Sequence, residues 1–197
     1  MRNLKIVFIL LLGILALCFS CEKNHLAGEF LLTDEMKAQN PYQKGDSFKL
    51  ISNTGDTLSW YVKGRSNQVH EMLLGINTKD YYLVETDKAS IDLENSIEYV
   101  TFYLEMGGQL TSSRNYIIEL YNGASGAGFS FDLPLSKEST PYVDSLYVLN
   151  RWIMDVFINE ATSANKLYYS TEFGIVKIDF SDGSYWELEK IEWADEN

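Results

Sequence analysis

Apolar and polar residues alternate with a period of two along most of this chain, which is the pattern of strands that bury one face. In the segment 48–62, two alternating runs flank a turn at 53–56. In the segment 176–188, Asp182-Gly183 lies between two alternating runs. Asp-Gly between alternating apolar runs is a strong short-range hairpin signal. We therefore predict two β-hairpins.

Further strands are predicted between these hairpins. Residue Pro134 should end one of them, since proline has no N–H to donate. A glycine loop is expected at 122–128, and a short helix capped by Thr33 at 33–39. The predicted strand segments are 81–85, 100–106, 116–120 and 129–133.

The segment 145–158 is ambiguous. Leu149, Ile153 and Val156 have helical spacing, whereas Trp152 and its alternate neighbours have strand spacing. The β-branched residues of the second half favour a hairpin that turns at Asn150-Arg151, and we prefer that interpretation.

These patterns predict an all-β fold with little helix, a single antiparallel β-meander domain over residues 30–191. A half-barrel or curved sheet is preferred, and a β-sandwich is the alternative. Trp152 is also expected in the core, because it lies on the apolar face of its strand. The expected core face includes Phe48, Leu58, Trp60, Phe102, Ile118, Phe131, Val176, Ile178 and Trp186.

The N-terminus has the features of a secretory signal peptide. Two basic residues precede the apolar run 6–19, which is too short to span a bilayer as a helix. Ser20-Cys21 follows and resembles a lipobox, the site at which bacterial lipoproteins receive diacylglycerol on cysteine and are cleaved before it. We expect residues 1–20 to be removed and Cys21 to be lipidated. Cys18 is the weaker acceptor, and a plain signal peptide is the alternative.

The lipobox and a C-terminal segment together carry a second resemblance, to a group of bacterial lipoproteins. The ending Ser-Cys before a charged residue, together with a Tyr-Tyr-Ser segment that leads to Gly-Ile-Val-Lys in 167–188, resembles uncharacterised Bacteroidota lipoproteins. The resemblance implies an outer-membrane protein held by its N-terminal lipid, and carries no known chemistry. Residues 22–25 lack an acidic run, so the periplasmic leaflet is preferred over the cell surface. Residues 21–29 would be the lipidated tether, and 192–197 an acidic tail.

Charge and residue types exclude several functions. Without residues 1–20 the chain has 14 Lys and Arg against 28 Asp and Glu, a net charge of −14. Nucleic acid is therefore not an expected partner. No cysteine besides Cys21 would remain, and neither His25 nor His70 has a partner at metal-ligand or catalytic spacing. We predict no catalytic residue, metal or cofactor.

The remaining hypothesis is a non-catalytic binding or assembly module. Its partner would be an unknown envelope protein, or an apolar or glycan ligand. Trp193 follows the last predicted strand among acidic residues and is the weak candidate for an exposed, ligand-binding aromatic. The alternative is a carboxylate-dependent, glycan-acting hydrolase or a glycan-binding lipoprotein, because paired carboxylates act across strands and leave no fixed spacing.

Overall fold

A computed structural model describes residues 24–75, 78–94, 100–108, 114–122, 125–148, 150–161, 163 and 165–194. Within these residues the fold is all-β, as predicted, with twelve strands and one short helix, α1 (Asp34–Ala38). The strands are β1 (His25–Phe30), β2 (Ser47–Ser52), β3 (Thr57–Leu73), β4 (Asp80–Leu93), β5 (Val100–Gly108), β6 (Arg114–Asn122), β7 (Ser125–Asp132), β8 (Tyr142–Val148), β9 (Arg151–Glu160), β10 (Lys166–Ser170), β11 (Gly174–Asp179) and β12 (Tyr185–Glu192).

The chain divides into two compact units. Of the described residues, the smaller contains 24–29, 71–75 and 78–83, and the others belong to the larger. In the smaller unit, β1 pairs with β4, and the His25 N–H donates to the Lys79 carbonyl at 3.0 Å. The expectation of a tether over 21–29 is therefore wrong from His25 onward, because backbone pairing with β4 orders that segment as a strand.

The larger unit is built on an open antiparallel sheet, in the order β7-β6-β5-β4-β3-β2-β12-β11-β10-β9-β8. All neighbours in this order follow one another along the chain except β2 and β12. These two join the N-terminal and C-terminal parts of the meander through pairs such as Leu50 with Leu188.

Side chains that meet across the larger unit show how strongly its sheet curves. Tyr116 on β6 and Tyr169 on β10 share a hydroxyl hydrogen bond of 2.8 Å, although six strands lie between them in the sheet order. Asn159 at the end of β9 donates to the Ser130 carbonyl of the edge strand β7 at 2.6 Å. The curved-sheet prediction is confirmed.

The core lies inside this curve. The predicted core face is confirmed, although Leu58 and Trp186 are only partly buried and pack against it. The helix prediction is also confirmed, since Thr33 Oγ1 accepts from the Met36 N–H at 3.2 Å. After α1, the chain places Tyr42 fully inside the core.

The glycine loop predicted at 122–128 is wrong for residues 125–128, and residues 123 and 124 lie outside the described part of the chain. Gly126 and Gly128 belong to β7 and pair with Tyr121 and Glu119 on β6. A Cβ at Gly126 would lie 3.1 Å from the Leu120 carbonyl. The glycine at 126 is therefore explained by the close approach of two paired strands and not by the flexibility of a loop.

The hairpin preferred for 145–158 is confirmed as β8 and β9, but the turn predicted at Asn150-Arg151 is wrong for Arg151, which pairs with Val148, and the predicted face of β9 is partly wrong. Asp155 has a φ of +56°, in the left-handed region, and burial does not alternate beyond it. Ile153 before it and Val156 after it are both buried, while Trp152 and Met154 are exposed. Trp152 is therefore not a core residue.

Candidate functional site

The exposed side chains of the β8–β9 hairpin form the best candidate for a binding surface. Tyr147, Trp152 and Met154 are 54%, 65% and 60% exposed, and we call these three residues the aromatic patch. The rings of Tyr147 and Trp152 meet edge to face, with centroids 5.3 Å apart. Exposed apolar clusters of this kind are typical of interaction surfaces, and Trp and Tyr are enriched among residues that dominate binding energy.

Strand register brings the aromatic patch together. Tyr147 pairs directly with Trp152, and Ser145 pairs with Met154 two residues further along the hairpin. Side chains two residues apart on a strand share a face, so the three patch residues lie on one side of the hairpin. The positive φ at Asp155 then returns the chain to the core at Val156. The pairing of β8 with β9 keeps one register on both sides of Asp155, with Val143 opposite Val156 and Ser145 opposite Met154.

The patch lies at the edge of the larger unit's sheet. β8 is the last strand in the sheet order, and in the described part of the chain it pairs with β9 alone. An edge strand presents backbone N–H and C=O groups to an incoming extended segment. The hairpin therefore combines an open backbone edge with exposed aromatic side chains, which is what strand addition by a partner requires.

A surface groove of about 370 Å³ borders β9, and none of the three patch residues lines it. Asp155 and Phe157 line it from β9, and Lys137 lines it from the segment before β8. Lys137 Nζ lies 2.6 Å from Asp155 Oδ1 and 5.6 Å from the centre of the Tyr142 ring. Glu35 and Glu138 also line the groove, so its charged lining is acidic overall.

A buried ion pair inside the larger unit has a structural role. Arg65 donates to both carboxylate oxygens of Asp87, which is almost fully buried. Its terminal nitrogens also donate to the carbonyls of Lys37, Asn40 and Tyr42, at 2.8, 2.9 and 3.2 Å. Every N–H of the guanidinium is thus directed to an acceptor. The group fixes the C-terminal end of α1 to β3 and β4.

Glu85 is a second buried carboxylate with structural contacts. It accepts from the Leu32 N–H at 2.9 Å, from Asn67 Nδ2 at 2.7 Å and from Lys37 Nζ at 3.4 Å. Burial raises the pKa of this carboxyl, but the hydrogen bonds and the charge of Lys37 outweigh burial, so the pKa of Glu85 is lowered. A carboxylate held ionised in this way is a poor general acid.

A polar cluster on β10–β12 contains the carboxylate pair most relevant to a hydrolase. Tyr168 Oη and Lys177 Nζ each lie 2.9 Å from a carboxylate oxygen of Asp179. Burial raises the pKa of Glu187 and the charge of Asp179 adds to this, while Lys177 opposes it. A carboxyl with a raised pKa is a candidate general acid for glycan hydrolysis, in which a second carboxylate takes part. Neither Asp179 nor Glu187 lines the groove along β9.

Trp193, the aromatic predicted to be exposed, is instead partly buried. It packs against the core, and its ring centroid lies 6.5 Å from that of Tyr42. The Ala194 N–H donates to Asp46 Oδ1 at 2.9 Å, which holds the segment after β12 in place. The acidic tail expected at 192–197 therefore begins as a docked segment, and ligand binding by Trp193 stays a prediction.

The other sites named from the sequence are not brought together. Cys21 lies outside the described residues, so its lipidation stays a prediction. His25 Nδ1 lies 3.7 Å from Asp80 Oδ1 in the smaller unit, and His70 is exposed on β3, not between strands. In the part of the chain that is described, no group of His, Cys, Asp or Glu could hold a metal ion.

The aromatic patch had one sequence signal that could have revealed it. Tyr147 and Trp152 flank the predicted turn at Asn150-Arg151, so the sequence places two large aromatic residues near one turn. Their pairing could not be read, because a turn at 150–151 would place Tyr147 opposite Met154, whereas the observed register pairs Tyr147 with Trp152.

No protein family, curated protein or solved structure matched this chain on comparison. Among the described residues, no helix has the length and apolar character needed to cross a membrane.

Proposed function

We propose that this protein is a lipid-anchored envelope lipoprotein, a non-catalytic binding module that holds a partner protein at the β8–β9 hairpin. The observation that carries the proposal is the exposed Trp152 ring, which packs against Tyr147 on the open edge of the sheet. The partner would add an extended segment to β8 and place apolar side chains against the aromatic patch.

Packing and charge favour a protein partner over an apolar ligand inside the sheet. Large side chains such as Trp60 and Phe102 fill the inner face and are fully buried, so they occupy the space that such a ligand would need. On the outer edge, Asp144 is exposed in the middle of β8. Together with the acidic composition, Asp144 favours a partner segment that carries basic residues.

Photocrosslinking tests this proposal. A benzoylphenylalanine at Tyr147 should give one discrete protein adduct in intact envelopes, and Trp152→Ser should abolish it. The control site is Tyr121 on β6, a tyrosine that is 43% exposed against 54% for Tyr147. A synthetic copy of the crosslinked segment should bind soluble 22–197 at least about tenfold more tightly than it binds the Trp152→Ser protein, since buried Trp contacts dominate interfaces. Equal adducts at both sites, or binding that ignores Trp152, would refute the proposal.

Lipid attachment is tested separately at Cys21. Cells grown with a fatty-acid analogue should label the wild-type protein and the Cys18→Ala variant, but not Cys21→Ala. Protease added to intact cells should spare the protein if it lies in the periplasmic leaflet of the outer membrane, as we propose. Equal labelling of all three proteins would contradict lipidation at Cys21, and digestion of intact cells would place the protein on the surface.

The second candidate function is a carboxylate-dependent hydrolase acting on glycans, favoured by the raised pKa of Glu187 beside Asp179. A turnover screen of soluble 22–197 against envelope glycans tests it. Activity that Glu187→Gln abolishes, with the free energy of unfolding unchanged, would replace the binding-module proposal. Glu189→Gln, an exposed carboxyl on the same strand, is the matched control.

A further inference from the structure

We propose that the smaller unit docks on the bilayer that holds the lipid anchor, and that Leu73 and Leu74 at the β3–β4 turn enter the membrane interface. This inference rests on the proposed lipidation of Cys21.

The length of chain after Cys21 limits how far the smaller unit can lie from the lipid. Only residues 22–24 separate Cys21 from the first residue of β1, His25. Four residue steps span at most about 14 Å when fully extended. A lipidated Cys21 lies at the level of the lipid headgroups, so the start of β1 must lie within that distance of them.

Contacts within the smaller unit hold the β3–β4 turn close to the start of β1. The His25 N–H donates to the Lys79 carbonyl at 3.0 Å, and His25 Nδ1 lies 3.7 Å from Asp80 Oδ1. The Leu74 N–H in turn donates to the Asp80 carbonyl at 3.2 Å. Leu74 is therefore linked to the first residue of β1 through one residue, Asp80. Any membrane that receives the Cys21 lipid comes close to this turn.

The side chains at the turn suit a membrane interface. Leu73 and Leu74 are 55% and 45% exposed, and Leu26 on β1 is also exposed. The charged neighbours, Lys79 and Asp80, have opposite signs, so docking does not depend on attraction to anionic lipid. Apolar side chains that enter the interface next to an acyl anchor add a second binding contribution, which stable membrane attachment uses.

The lipid anchor also favours the membrane over a partner protein or a second copy as the surface that Leu73 and Leu74 contact. A lipid at Cys21 keeps the turn next to the bilayer at all times, which gives the bilayer a high effective concentration. A partner protein or a second copy would have to compete with that permanent neighbour.

Environment-sensitive fluorescence tests the docking. The full lipoprotein is reconstituted into vesicles of phosphatidylethanolamine and phosphatidylglycerol, with a nitrobenzoxadiazole label at Leu74→Cys. Apart from Cys21, the mature chain has no cysteine, so the label is unique. Its emission should shift to the blue on reconstitution and be lost when doxyl-labelled lipid is included. The control is Val69→Cys, a comparably exposed apolar position on β3 that lies five residues before Leu74 and in the larger unit.

The outcomes separate this inference from the proposed function. Mass spectrometry of the N-terminal peptide of the same sample reports lipidation. A lipidated protein whose label at 74 responds no more than the label at 69 refutes the docking and leaves the anchor intact. An unlipidated protein refutes the proposed anchor itself and the docking that rests on it. A blue shift that appears without vesicles and grows with protein concentration assigns the leucines to a second copy and overturns the inference.

Discussion

Single residues in the larger unit show how the protein holds buried charge. The Glu85 carboxylate has three donors, and Asp87 has the guanidinium of Arg65. Burying a carboxylate without such donors is costly, because the charge loses its hydration. The donors around these two residues on β4 therefore offset the cost of burying their carboxylates.

The pKa of Glu85 predicts a pH dependence of stability. Its pKa is lowered in the folded protein, so the folded state binds this proton more weakly than the unfolded chain does. The stabilisation is present above about pH 4.5, the ordinary value, and is lost as the pH falls through the lower folded pKa. Glu85→Gln should cost about 1–3 kcal/mol of the free energy of unfolding at pH 7.

Urea unfolding of soluble 22–197 at pH 7, 5, 4 and 3 measures this effect. The gap between wild type and Glu85→Gln should be widest at pH 7 and should narrow below pH 4.5. Glu189→Gln, which removes an exposed carboxyl, should leave a small gap at every pH. If the gap for Glu85→Gln widened as the pH fell, the pKa of Glu85 would be raised in the folded protein and the prediction would be wrong.

At the scale of elements, the turn between β10 and β11 depends on a contact with the segment after α1. Gly174 has a φ of +74°, and a Cβ there would lie 2.2 Å from the ring of Tyr42. The Ile175 N–H also donates to Tyr42 Oη at 2.8 Å. A glycine is therefore needed at 174 for two reasons, the backbone angle and the space that Tyr42 occupies.

Two glycine substitutions separate these reasons. Gly183 in the β11–β12 turn has a φ of +86° but nothing within 4 Å of its would-be Cβ. Gly183→Ala should lower the free energy of unfolding by about 1–2 kcal/mol through backbone strain alone. Gly174→Ala should lose about 1–3 kcal/mol more, because Tyr42 must move. Urea midpoints compare the two variants, and an equal loss in both would exclude the steric contribution of Tyr42.

Other elements show which patterns were readable. The hairpins β2–β3 and β11–β12 have short turns between alternating runs, and both were predicted. The extension of β3 beyond Val62 was not predicted, because residues 63–71 are mostly polar and exposed and give no alternation. Such a strand is fixed by its backbone pairing with β4, which the sequence of 63–71 does not signal.

At the scale of the whole molecule, the curvature of the sheet divides apolar residues into an inner and an outer set. Trp60 on β3 is fully buried, with ring centroids of Phe102 and Phe48 at 4.5 and 6.3 Å. Trp152 on β9 lies on the outer surface. The same residue type therefore serves packing at one position and is available for binding at the other.

Alanine substitution of these two tryptophans tests the division. Trp60→Ala should lower the free energy of unfolding by about 3–5 kcal/mol, through lost burial and the cavity that remains. Trp152→Ala should change it by no more than about 0.5 kcal/mol, as is usual for exposed positions. Urea unfolding of soluble 22–197 compares them. A loss at Trp152 as large as that at Trp60 would place the aromatic patch in the core and remove it as a binding surface.

The candidate binding surface was less predictable than the fold. Its two rings flank the predicted turn, but their pairing depends on a register that a turn at 150–151 does not give, and their exposure was not predicted. The exposure predicted for Trp193 is wrong. Its acidic neighbours indicate an exposed ring, but the hydrogen bond from Ala194 to Asp46 holds the segment against the core. Both errors concern whether an aromatic ring is exposed or buried: Trp152 is exposed, and Trp193 is partly buried.

The sequence by itself determined the all-β class, most of the hairpins and the inner face of the sheet. These depend on local alternation and turn residues, and such signals act over a few positions. Only the tertiary structure decided that β1 is a strand, that Trp152 faces outward and that β6 lies against β10. Each of these depends on pairing or packing between residues far apart in the chain. Their contacts form only when the sheet curves, so no short stretch of sequence can encode them.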